Sequence, residues 1–257
     1  MSKINDIIAV LDSFAPNELA ESWDNVGLLI GDADRDARSI VTCLTVTTET
    51  VQEAIEKNVD LIVSHHPFPF HATKRITVET STGRMIWELI RAGISVYSPH
   101  TAHDNAEYGI NRQLADFLGL IELRSITETG GRIGRLPDRT LFSDLVTKVK
   151  DSLKLSAIQY VDSGKRLVST IAIGCGAAGE FLEPAKNAGA DVLLLGEARF
   201  HTALEAKAFG ISLIIPGHYA SERFAMEVLA RRIFEKFPNV RCFASERETD
   251  PIQYSTK

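Results

Sequence analysis

The sequence is poor in cysteine: Cys43, Cys175 and Cys242 are the only three in 257 residues, and no C-x-x-C occurs. An odd, scattered set argues against a disulfide framework and fits a reducing, cytoplasmic setting. Long apolar runs are also missing. No stretch of 18 apolar residues exists, and the opening MSKINDIIAVLDSF lacks an extended apolar core. Neither a transmembrane helix nor a signal peptide is expected. Positive charge is in deficit, with 28 Lys and Arg against 34 Asp and Glu, a formal net charge of −6. A protein built to grip a phosphate backbone carries a basic face, so direct nucleic-acid binding is not expected, though a local pocket for one nucleotide remains open. Ser64 has no G-x-S-x-G elbow around it. No cysteine has a context that would lower its pKa. Solenoid repeats and low-complexity segments are absent.

What is present is ordinary globular composition, 44% apolar and 24% charged, long enough for one large domain or two modest ones. Ile4, Ile7, Ile8 and Leu11 recur at helical spacing over 3–13. Strands are expected at 39–46, 60–64 and 94–98, alternating with helices at 48–58, 81–93 and 110–119, and residues 99–109 read as a loop. Residues 122–139 contain glycine and charge and read as a boundary or a hairpin. A helix follows over 141–153, then strands near 156–161 and 167–174. The alternation resumes with helix 180–188, strand 191–196, helix 200–208 and strand 211–215. Residues 216–237 read as a turn leading into a long helix, and 240–245 as a last strand. Such a rhythm implies βαβ units with at least partly parallel strands, whose sites form beyond the carboxyl ends.

Five of the seven histidines fall at strand–helix loops: His65, His66, His100, His103 and His218. His65 and His66 are adjacent. On an extended chain their side chains diverge, which suits two ions better than one, with a carboxylate bridging. In GHYASE, a helix beginning near Ala220 puts Glu222 in its first turn and His218 just outside, within reach of one ion. Imidazole with carboxylate and no thiolate suits Zn, Fe, Mn or Ni. Gly174, Gly176 and Gly179 form G-x-G-x-x-G after a strand, but the acidic residue expected about twenty positions on has no clean counterpart. A small-residue turn packing a helix on a sheet accounts for them. Trp23, Asp24 and Asn25, followed by Gly27, read as a pocket edge or, preferably, as a turn around a buried tryptophan.

In order, ESWDNVGLLIG, SHHPFPF, HTAHDNAEYGIN, GEARFHTALEA and GHYASE resemble the blocks of the GTP cyclohydrolase I type 2 homologue family, also called Nif-three-like, from about residue 20 to 225. The resemblance implies an α/β protein of two interlinked domains of related topology with mixed sheets, a dinuclear metal centre in a cleft, and assembly into a homohexamer. The domains are expected at 1–125, completed by 218–257, and at 126–217. It implies His65, His66, Asp104, His218 and Glu222 as ligands of two divalent ions. Glu197 and His201 would lie near the site, where they and Glu222 are the candidates for catalysis. His100 would orient Asp104. Three positions depart from the usual pattern: His103 replaces a leucine-like residue, Thr45 stands where many relatives have aspartate, and Ile215–Pro216 precede Gly217. Two functions stay open: a metal-dependent hydrolase of a nucleotide-like or pterin-precursor small molecule, or a metal carrier or interaction scaffold.

Overall fold

The computed structural model describes residues 2–128 and 130–255. The chain folds into two compact α/β units, Met1–Ala106 with Arg223–Thr249 and Glu107–Glu222 with Asp250–Lys257. The chain therefore changes unit after residues 106, 222 and 249, whereas the sequence reading placed the changes after 125 and 217. Residues 122–139 are not a boundary. They contain the strand Ile121–Arg124 paired antiparallel with Arg132–Leu141, inside the second unit.

The first unit has a five-stranded sheet ordered Arg241–Ala244, Ser39–Cys43, Leu61–Ser64, Ser95–Ser98 and Gly27–Ile30. Four strands are parallel, and the edge strand Gly27–Ile30 runs antiparallel. Strand residues alternate between two cores, as the two-residue period of a pleated chain requires. Val41, Ile62 and Val96 pack with Val51 and Ala54 of the helix Thr48–Glu56 and with Ile86 and Leu89 of the helix Ser81–Ala92. Ile40, Leu61, Val63 and Tyr97 face the other way, against Ile4, Ile7 and Leu11 of the helix Ile4–Phe14 and Leu229 and Ile233 of the helix Phe224–Lys236. Each such buried side chain contributes about 1.5–3 kcal/mol relative to exposure. Truncating Ile62 to alanine would cost about 2–5 kcal/mol. The helix Ser81–Ala92 stops at Gly93, whose left-handed backbone (φ 68°) lets its N–H cap the carbonyls of Leu89 and Ile90.

The second unit has a six-stranded sheet ordered Ile121–Arg124, Arg132–Leu141, Leu167–Gly174, Val192–Leu195, Ser212–Ile215 and Gln159–Val161. Its middle three neighbours, Leu167–Gly174, Val192–Leu195 and Ser212–Ile215, are parallel. One face packs Ala172, Leu193, Leu195 and Leu213 against Leu182 and Ala185 of the helix Leu182–Asn187 and Ala206 of the helix Phe200–Phe209. Both sheets are mixed, as expected, and in both the carboxyl ends of parallel strands carry the histidine loops.

Local differences bear on the site. The expected loop 99–109 contains a short helix, His100–Asn105. The expected long helix after Gly217 is two: His218–Glu222 and Phe224–Lys236. His218 is therefore the first helical residue rather than lying outside.

Candidate metal centre

In the first unit, Leu61–Ser64 ends the strand and the next two residues are bends. The His65 and His66 N–H groups still bond to the carbonyls of Cys43 (2.9 Å) and Leu44 (2.8 Å). The Ser98 hydroxyl donates to the His65 carbonyl at 2.6 Å, and the Ser64 hydroxyl to the His66 carbonyl at 2.8 Å. Because the pleat stops at Ser64, strict alternation no longer applies. The two rings lie 5.1 Å apart at 51°. One nitrogen from each of His65, His66 and His100 lies within 4.8 Å of the others. The divergence expected of adjacent histidines is thus undone by the turn that holds them.

Two of the rings, His66 and His100, have an oriented support. His66 Nδ1 is 2.7 Å from the Thr45 hydroxyl, so Thr45 holds a candidate ligand directly. The backbone around Thr45 is itself clamped: Glu248 accepts from the N–H of Leu44 at 2.9 Å and of Thr45 at 2.6 Å, and pairs with Arg223 Nε at 2.7 Å. His65 Nε2 lies 3.6 Å from Asp104 Oδ1, and His65 is 1% exposed. His103 is buried, not a surface residue; burial, with the nearby Arg232 charge, pushes its pKa down to about 4 and keeps it neutral.

His100 takes Asp24 rather than Asp104 as its partner, Nδ1 to Oδ1 at 2.8 Å. The same carboxylate accepts from the Thr101 N–H at 3.1 Å and from the Thr101 hydroxyl. Burial alone would raise the Asp24 pKa, but the bonds from His100 and Thr101 outweigh it and hold the value at about 2. Sequence reasoning leaves Asp24 at a pocket edge or in a turn, favours the turn and gives Asp24 no role toward a histidine. The favoured turn has a buried tryptophan, whereas Trp23 is 64% exposed and its ring stands T-shaped to that of His100 at 6.1 Å. The aspartate is the buried member of that triplet.

In the second unit three parallel strands end in Gly174–Cys175–Gly176, Gly196–Glu197 and Gly217–His218. His218 sits between two carboxylates, with Nδ1 2.8 Å from Glu197 Oε1 and Nε2 3.0 Å from Glu222 Oε2. Burial pulls its pKa down, but the bond and charge of Glu222, then those of Glu197, raise it to about 9. The glycines acquire a purpose here. Gly176 adopts φ +64°, and a Cβ there would stand 2.3 Å from Glu222 Oε1. Its N–H donates to the Ser221 hydroxyl at 3.1 Å. A Cβ on Gly174 would meet Phe181 and Ala178 at 2.6 and 2.7 Å, whereas Gly179 has only ordinary contacts. The motif therefore brings a helix and a carboxylate close to backbone. Cys175 keeps its place through its N–H, which donates to Asn111 Oδ1 at 2.8 Å. His201 is exposed on the helix Phe200–Phe209, its ring 6.0 Å from that of Phe200, and it makes no hydrogen bond or ion pair among the described residues.

The donor chemistry fits divalent ions in both units: converging imidazoles in the first, imidazole with carboxylate in the second. Among the described residues no helix is long and apolar enough to cross a membrane.

The family model Duf34/NIF3 (NGG1p interacting factor 3) matches residues 2–251. The chain is 33% identical to a GTP cyclohydrolase 1 type 2 homolog of Streptococcus pneumoniae, covering 97% of this chain and 98% of that protein. It is 32% identical to the GTP cyclohydrolase 1 type 2 of Helicobacter pylori, covering 89% and 90%. A Bacillus cereus protein related to NIF3 shares the fold at a TM-score of 0.92, with 23% identity and 99% of both chains covered. A histidine-and-carboxylate set at the strand ends of two α/β units, in a chain matched along nearly its whole length, belongs to the Duf34/NIF3 family.

Proposed function

We propose that this protein is a metal-dependent hydrolase that opens or cleaves a nucleotide-like or pterin-precursor small molecule. His65, His66, Asp104, His218 and Glu222 are assigned as ligands of two divalent ions, drawn from Zn, Fe, Mn or Ni. The observation that carries the reading is the gathering of one nitrogen from each of His65, His66 and His100 within 4.8 Å past the strand end, with the His66 and His100 rings held by a hydroxyl and a carboxylate as ligating histidines usually are. The name GTP cyclohydrolase 1 type 2, borne by the Helicobacter pylori relative, favours a purine nucleotide and ring opening at its imidazole carbon. Bound divalent ions would supply Lewis-acid polarisation and a more acidic water.

The chain's own residues do the rest. Thr45 keeps the His66 ring oriented. Glu197 holds His218 by Nδ1, leaving Nε2 and Glu222 to the centre. Glu197, Glu222 and His201 are the assigned proton-moving groups. Glu197 is half-exposed and hydrogen-bonded to His218, so a proton taken at either group passes over one short contact. His201 would join only when substrate reaches its exposed helix face. The protein is assigned to the cytoplasm as a homo-oligomer of six chains, without nucleic acid or membrane as a partner.

Metal-reconstituted wild type and His66→Ala, assayed against nucleoside triphosphates, cyclic and dinucleotides and amides, test the proposal. Turnover lost in the variant supports it. No turnover with any substrate, together with fast metal transfer to an acceptor, would replace it with a carrier, a reading the family's description as an interacting factor also accommodates. Light scattering of the purified protein tests the hexamer.

A further inference from the structure

We propose that His100, aimed by Asp24, is a third imidazole ligand beside His65 and His66, giving the first unit a metal site that fills without His218 and Glu222. The inference rests on reading this region as a metal centre and adds a ligand that neither the motif blocks nor the family match assigns.

Three independent features support it. The first is convergence. Three imidazoles bound to one tetrahedral ion at Zn–N distances of ~2.0–2.1 Å have ring centroids roughly 5 Å apart. Here His65–His66, His65–His100 and His66–His100 are separated by 5.1, 5.1 and 5.6 Å. The second is the partner of the far nitrogen. A ligating histidine usually gives its other ring N–H to a carboxylate, which fixes the tautomer and directs the lone pair. Asp24, with its side chain wholly buried, accepts from His100 Nδ1 at 2.8 Å. That leaves Nε2 as the electron-pair donor, and among the described residues it bonds to no protein group. The third is backbone conformation. His100 has φ +26°, a sparsely populated region that costs of the order of 1–3 kcal/mol and persists where surroundings over-determine it. The carboxylate that holds the ring also holds the next residue's N–H and hydroxyl. One buried group thus fixes both the strained turn and the ring.

The donor set is neutral nitrogen, which favours zinc or another borderline ion over magnesium or calcium. Asp24 neutralises part of the ion's charge from behind His100.

The experiment uses the full chain, stripped with chelator, titrated with zinc, desalted and assayed for zinc per chain. Wild type is compared with His218→Ala/Glu222→Gln, with the same double variant plus His100→Gln, and with His100→Gln and Asp24→Asn alone. The double variant is expected to keep about one zinc per chain, and adding His100→Gln to abolish tight retention. Asp24→Asn is expected to weaken that site roughly 10–100-fold, with the near-ultraviolet circular dichroism of the metal-free protein unchanged. If Asp24 serves only to cap the short helix, Asp24→Asn lowers the melting temperature and leaves zinc affinity untouched, which overturns the assignment. So does wild type that binds zinc while the double variant binds none, or a His100→Gln protein, alone or in that background, that binds as its parent does. Wild type that takes up no zinc overturns the metal reading itself, and the inference with it.

Discussion

The histidine loops of the two units use the same residue types to opposite electrostatic ends. In the first unit four buried or half-buried rings stand close together, with supports for His66 and His100 that are a hydroxyl and one fully buried carboxylate. His103 is held neutral by burial. In the second unit one ring is clamped by two carboxylates and carries a proton at neutral pH. The second holds its ring in ion pairs and must release a proton before its nitrogen can bind a cation.

The most severe break in the comparison removes one ring from each side. His65→Ala/His218→Ala is expected to lose nearly all bound metal by elemental analysis. Unchanged metal content would show the ligand assignment to be wrong. Next in size is a backbone effect confined to the second unit. Gly176→Ala adds a Cβ 2.3 Å from the Glu222 carboxylate at a left-handed φ of +64°. The left-handed conformation and the displacement of the Glu222 side-chain end from its bond to His218 together are expected to destabilise the protein by about 1–3 kcal/mol, read by denaturant unfolding. Gly119→Ala has a similar φ of +69° but nothing within 4 Å, so it should cost only about 1 kcal/mol. Equal costs at the two positions would mean that Glu222 does not press on Gly176.

The protonation contrast is measurable directly. In metal-free protein, NMR titration is expected to place His218 near pH 9, while His103 stays neutral down to about pH 4. The sign for stability follows from linkage. His218 is raised above its ordinary value of 6.5, so the clamp's contribution is full below that pH and is lost as pH rises through about 9. Glu222→Gln should lower the His218 midpoint and flatten the fall in melting temperature between those values. An unchanged midpoint would assign the shift to Glu197 alone.

How much of this was legible depends on how local each determinant is. The run before His65 and the helix ended by Gly93 read correctly because burial periodicity and a left-handed cap are encoded within a few residues. The edge strand Gly27–Ile30 was missed: it is four residues long, only half-buried throughout, and followed by Gly31 at φ +118°. The helix His100–Asn105 was read as loop because five of its six residues are buried, which erases the polar–apolar alternation of an amphipathic helix. The motif blocks put His65, His66, Asp104, His218 and Glu222 on the candidate list, but not the groups that orient them. Asp24 acts on a residue 76 positions away, and Glu248 on a backbone more than 200 positions away. Such pairings belong to the fold and leave no local pattern. The glycine motif was visible, yet its purpose appeared only with Glu222 beside Gly176.

The smallest expected effect sharpens the comparison most finely. Thr45→Val removes the hydroxyl 2.7 Å from His66 Nδ1 while keeping the branched shape and the backbone held by Glu248. A neutral hydrogen bond is worth about 0.5–1.5 kcal/mol net, which corresponds to roughly a tenfold loss of zinc affinity or less. The loss should fall on zinc retained by the first unit and leave the His218 titration in metal-free protein unmoved. Thr45→Asp should instead raise affinity, because a charged acceptor strengthens the ring's basicity and neutralises part of the cation. If valine and aspartate both behave as threonine does, His66 is held by its backbone alone, and the support that distinguishes the first cluster reduces to Asp24 behind His100.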